Sequence, residues 1–180
     1  MAVRRSGSNT MARLREQLCL AAGDNEVPVH VAPRMMMFIG EEVGGLSWLD
    51  AANQPADHGG FRGQAVAFTS SLVVYATWGS RSGAVGSPTN SSASVEAWSR
   101  RSLCAAAIVA APPRGGAVNL DDSWAASDGD WPRSGQLSLT YAHRQESLRV
   151  PLDPDRELMK DALIRPFIHS LMTDLREPHP

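Results

Sequence analysis

The stretch that decides the fold is LSLTYAHRQESLRVPL, residues 137–152. Leu137, Leu139 and Tyr141 alternate with polar residues, and the alternation resumes at Leu148 after a short polar turn. A period of two places every second side chain on the same face of a strand. The stretch therefore predicts a β-hairpin with one buried face.

The residues that follow the hairpin have the composition of a helix start. Asp153 can accept hydrogen bonds from free backbone N–H groups, and Pro154 suits the first helical position. Asp155 and Glu157 place negative charge at the positive end of the helix dipole. We therefore expect a C-terminal helix from about residue 153, which Pro166 kinks or restarts.

An apolar stripe at helical spacing follows that proline. Its members are Phe167, Ile168, Leu171, Met172 and Leu175. Such a stripe is typical of a helix that packs on a sheet, and a docking helix for a partner protein is the alternative.

The N-terminal part mixes helical and extended patterns. Residues 1–8 are expected to form a disordered tail, followed by a short helix that Asn9 or Thr10 caps. Pro28 restricts its neighbourhood to an edge strand or an extended arm. The apolar run Met35–Ile39 ends at a glycine, and the residues after it can pair back on it as a hairpin.

The middle of the chain is rich in strand-forming residues. Ala65–Phe68 and Leu72–Ala76, joined by a Thr69–Ser71 turn, predict the buried centre of a sheet. Val95–Ser99 alternates as a strand. Leu103–Ala111 fits either a strand or a helix, and we favour a strand because its neighbours are strands.

Polar and Gly-rich segments separate these elements. Long loops are predicted at residues 51–62, 79–94 and 112–135, within a single globular domain over residues 9–178. The predicted fold class is α+β. It consists mainly of an antiparallel sheet, or a partly open barrel of about six to eight strands, closed by the C-terminal helix, with a short N-terminal helix.

Composition excludes some classes of protein. The net charge is −2 and no basic stripe is visible beyond Arg100–Arg101, which argues against nucleic-acid binding. No apolar run reaches the roughly 18 residues of a membrane span. Cys19 and Cys104 lie far apart in apolar surroundings and are expected to be reduced, so a cytoplasmic location is the expectation.

The segment 119–131 is the best candidate for a metal site. It carries four carboxylates, from Asp121, Asp122, Asp128 and Asp130. Hard cations prefer several oxygen ligands, which one loop could supply here. The spacing does not match an EF-hand, and a solvated loop whose Asp residues form turns is the alternative.

Aromatic and guanidinium groups form the candidate binding site. Trp98 precedes Arg100 and Arg101, a combination suited to phosphate or carboxylate contact or to a surface strand. Trp124 and Trp131 flank the acidic segment and form either a cover for the core or an exposed recognition rim.

These observations favour a non-catalytic binding or regulatory module of unknown ligand, acting through protein–protein contacts and needing no cofactor. The alternative is a small metal-assisted hydrolase using the acidic segment, with His58 or His143 as its base. Self-association through Met35–Phe38 or the Phe167–Leu175 stripe is a third interpretation.

Overall fold

The computed structural model describes residues 4–23, 27–56, 60–80, 91–109, 136–154, 156 and 164–177. The fold is α+β, with two antiparallel sheets of four and three strands. The predicted class is therefore confirmed, but neither sheet closes into a barrel. The chain divides into two compact units, Met1–Arg100 and Arg101–Pro180. The single domain over residues 9–178 stays a prediction.

Unit 1 consists of two helices and a four-stranded meander. The helices are α1 (Arg4–Ala21) and α2 (Val31–Ile39), and a 3₁₀ helix (Gly40–Gly45) follows α2. The strands are β1 (Trp48–Ala56), β2 (Gly60–Phe68), β3 (Leu72–Ser80) and β4 (Ser91–Ser99). Each strand pairs antiparallel with the next, so β1 and β4 are the edges of this sheet.

The two helices cover one face of this sheet. Leu14 and Leu18 of α1 are buried, as are Val31 and Met35 of α2. The sheet meets them with small side chains such as Ala65, which let the helices approach closely. Each large buried side chain contributes on the order of 1.5–3 kcal/mol, so this layer anchors both helices firmly.

The opposite face of the sheet is also apolar near the β2–β3 turn. Trp48, Phe68 and Val73 are buried there, and the rings of Trp48 and Phe68 lie 6.1 Å apart. Because side chains on both faces are buried, apolar residues run continuously along β2 and β3 instead of alternating. The prediction that this block is the buried centre of a sheet is confirmed.

The N-terminal predictions need correction. Helix α1 begins at Arg4, so the disordered tail predicted for residues 1–8 is wrong for residues 4–8. The extended arm around Pro28 and the strand at Met35–Ile39 are also wrong, because α2 begins at Val31. A short apolar run fits a buried helix as well as a strand, and here packing against the sheet selects the helix.

The loop predicted at residues 51–62 is largely a hairpin. Residues 51–56 belong to β1 and residues 60–62 belong to β2. Pro55 lies within β1. An edge strand tolerates proline, because the backbone N–H groups on its outer side are not needed to pair with a neighbouring strand. Residues 79–80 and 91–94, placed in the second predicted loop, likewise extend β3 and β4.

Unit 2 contains the hairpin predicted at residues 137–152. Its strands are β5 (Leu103–Val109), β6 (Gln136–Tyr141) and β7 (Leu148–Val150), in the order β5-β6-β7. The hairpin is thus confirmed, and the strand preferred at Leu103–Ala111 is confirmed over residues 103–109. Residues 110–135, which include the whole third predicted loop, lie outside the described residues.

The C-terminal helix that the structure describes begins at Ile164. Helix α3 spans Ile164–Arg176 and packs against β5. Before it, the Asp153 carbonyl accepts a turn hydrogen bond from the Arg156 N–H at 3.1 Å. Residues 155 and 157–163, where most of the predicted first part of the helix falls, lie outside the described residues. Pro166 lies in the first turn of α3, where its missing N–H costs no helical hydrogen bond, so the predicted restart near it is confirmed.

Candidate functional site

Trp98 lies on β4 and is half-buried. Its ring centroid is 6.3 Å from that of Tyr75 on β3, with the planes tilted by 54°. The Tyr75 hydroxyl donates to Gln64 Oε1 on β2 at 2.6 Å. Trp98 therefore belongs to an aromatic pair on the sheet face opposite α1 and α2.

Arg100 has a structural environment. It is 4% exposed, and its Nη1 donates to Ser47 Oγ at 3.1 Å and to the Thr69 carbonyl at 2.8 Å. Its backbone N–H donates to the Ser71 carbonyl at 2.9 Å. Arg100 thus ties the start of β1 to the β2–β3 turn, and its guanidinium group does not face an open binding surface.

Arg101 has the opposite environment, although it is the next residue. Its side chain is exposed, and Nη2 lies 3.6 Å from a carboxylate oxygen of Glu177, also exposed. An exposed pair at this distance contributes little to stability. Arg101 is accessible to a ligand, but the structure does not group it with Arg100.

The other predicted site residues lie outside the described residues. They are Trp124, Trp131, Asp121, Asp122, Asp128, Asp130 and His58. His143 is exposed in the β6–β7 turn. Within the part of the chain that is described, no three His, Cys, Asp or Glu side chains are grouped so that they could hold a metal ion.

Helix α2 presents large apolar side chains to solvent. Met37 is 83% exposed and Phe38 is 45% exposed, and Pro33 is exposed one turn before Met37. We call these three residues the α2 surface. The third interpretation of the sequence named Met35–Phe38 for self-association, and the structure divides that run, because Met35 is buried and Met36 is half-buried.

Buried side chains and hydrogen bonds hold α2 in place beneath the α2 surface. Val31, Met35 and Ile39 are buried on the side that faces the sheet. Arg34, the one charged residue of α2, donates to the Ala93 carbonyl on β4. At the C-terminal end, Gly40 adopts a positive φ of 60° and its N–H donates to the Met36 carbonyl. These contacts fix the orientation in which α2 presents its outer side.

A shallow cavity of about 570 Å³ runs along α1. Half-buried Met11 and Cys19 line it together with exposed Arg15 and Glu16. Small-molecule sites usually bring a few buried polar groups together. The described lining has none, so this cavity does not have the character of a cofactor or substrate pocket.

None of the described helices has both the length and the apolar character needed to span a membrane. No family model matches the chain, and no curated protein or solved structure matches it either.

Proposed function

We propose that this chain is a non-catalytic protein-binding module and that the α2 surface is its contact site. The observation that carries the proposal is the exposure of Met37 and Phe38 on a helix that is apolar nearly all round. Helices of that composition are normally covered on every side. Contiguous exposed apolar side chains mark interaction sites more often than chance placement.

The chemistry of α2 favours a protein partner over a nucleic acid or a membrane surface. Arg34 is its only charged residue, and it is hydrogen-bonded to Ala93. Nucleic-acid binding relies on several Lys or Arg contacts to phosphates, and helices that lie on membranes have a basic polar face. The α2 surface has neither feature. Met37 adds a flexible, polarisable side chain, which suits apolar contacts of variable shape.

Other parts of the sequence prediction remain proposals. Trp98, Arg101, Trp124 and Trp131 remain proposed contact residues for the same function, with no common site assigned to them. The metal-assisted hydrolase depends on the acidic segment 119–131, which lies outside the described residues. A reducing, cytoplasmic location is supported by the free thiols of Cys19 and Cys104.

Position-dependent photo-crosslinking tests the proposal. A photoreactive residue is introduced at Met37, and in separate variants at Arg13 of α1 and Thr77 of β3, which are also exposed. We expect irradiation in cells to give a discrete adduct with another protein from position 37 and not from the two controls. Equal adducts at all three positions, or none at position 37, would refute the α2 surface as the contact site.

A further inference from the structure

We propose that two copies of this chain associate by pairing β5 with β5 of the second copy, antiparallel and about a two-fold axis. This contact lies in unit 2 and is independent of the function proposed for α2. It would join two three-stranded sheets, each ordered β5-β6-β7, into one continuous sheet.

The position of β5 in its sheet is the first observation. Among the strands that the structure describes, it pairs with β6 on one side and is the edge of the sheet on the other. The outward N–H and C=O groups of an edge strand form a template for another strand. Between Leu103 and Ala105 the pairing with β6 is irregular, so the regular part of this edge is residues 105–109.

Beyond the irregularity between Leu103 and Ala105, β5 lacks the features that normally protect an edge. The strand reads LCAAAIV, with no charged residue and no proline. Natural edge strands are usually guarded by lysine, proline, inward charges or strong bulges. The exposed side chains of β5 include three small ones, Cys104, Ala105 and Ala107. They leave room for a second backbone to approach the outer edge of β5.

One face of the unit 2 sheet is apolar as far as β5, where its last apolar side chain is partly exposed to solvent. Ile108 of β5 pairs with Leu137 of β6, so their side chains lie on the same face. Leu137 is 3% exposed, whereas Ile108 is 39% exposed. A further strand along the outer edge of β5 would cover the Ile108 side chain, as β6 does along the inner edge.

A second copy of the chain satisfies these conditions better than an unrelated segment. Antiparallel pairing about a two-fold axis brings the same strand to both sides of the contact. The uncharged edge, the small alanine side chains and the open Ile108 are then all matched by their own copies. An unrelated extended segment would need to supply such a strand independently.

Cysteine scanning tests this pairing. In a two-fold antiparallel pair, one residue lies opposite its own copy, close enough for a disulfide. Single cysteines are placed at each position from 104 to 108 in a Cys19→Ser background, keeping Cys104 for the first and using Cys104→Ser for the others. Thr140→Cys, in the same background with Cys104→Ser, is the control, since Thr140 is exposed on neighbouring β6.

We expect covalent dimer formation to peak at one position of β5, fall on either side and be absent at position 140. Sedimentation of the reduced wild type should show a concentration-dependent dimer. Ala107→Lys should abolish the dimer with the circular dichroism spectrum unchanged, whereas Met37→Ser should leave it intact. A strict monomer, uniform crosslinking at all positions, or adducts only with another protein would overturn the proposal.

Discussion

The indole of Trp78 on β3 spans the middle strand and donates its Nε1–H to Asn53 Oδ1 on β1, at 3.0 Å. Gly63 of β2 lies between the two and pairs in register with both. A Cβ atom at position 63 would overlap the Trp78 ring and the Asn53 amide oxygen. Glycine is therefore required here by close approach of side chains.

Replacing this glycine should destabilise unit 1. Gly63→Ala forces Trp78 away from Asn53, and overpacking of a filled site costs about 1–3 kcal/mol. Urea denaturation measures the loss. Gly79→Ala in β3 is the matched control, because its added Cβ would meet no atom closer than 3.9 Å. A similar free energy of unfolding for the two variants would show that the indole does not depend on Gly63.

Adjacent arginines should differ in their effect on stability. Arg100→Met removes two hydrogen bonds made by a buried guanidinium group, and we expect a loss of about 1.5–3 kcal/mol. Arg101→Met removes the exposed pair with Glu177 and should cost less than about 1 kcal/mol. Thermal and urea denaturation of both variants compare them. Equal losses would contradict the structural role of Arg100.

The β2–β3 turn should depend on one hydroxyl group. Thr69 Oγ1 accepts from the backbone N–H groups of Ser71 and Leu72, at 3.2 and 2.9 Å. Thr69→Val keeps the shape but removes the acceptor, and should cost about 0.5–1.5 kcal/mol because the part-buried donors lose their partner. Thr69→Ser restores the hydroxyl and should recover most of the loss. If Ser and Val variants unfold alike, the turn does not rely on these bonds.

Local patterns predicted the strands of the chain well. The β6–β7 hairpin and the Thr69–Ser71 turn depend on alternation and turn chemistry within a few residues, which a sequence displays directly. Pro55 pointed to a loop, because the sequence does not reveal that β1 is an edge strand that accommodates proline.

Features set by distant contacts were not predictable. The run Met35–Ile39 is helical because one side packs on the sheet, a partner absent from any local window. Arg100 was interpreted as a binding residue because nothing near it in sequence indicates that Ser47 and Thr69 enclose it. The exposure of Met37 likewise emerges only when the helix is placed, although the methionine run itself was a visible signal.

The most direct test of the protein-binding account is a calorimetric titration with the protein captured from position 37. Wild type, Met37→Ser/Phe38→Ser and a Thr77→Ser control are compared. The control should unfold within about 0.5 kcal/mol of wild type, because Thr77 is exposed. The double variant should stay folded but lose about 1–2 kcal/mol, because Phe38 is 45% exposed and so more than half buried. We predict that the double variant binds at least about tenfold more weakly, a loss of about 1.4 kcal/mol. The control should bind like wild type. Equal affinity of the double variant and wild type would contradict the account.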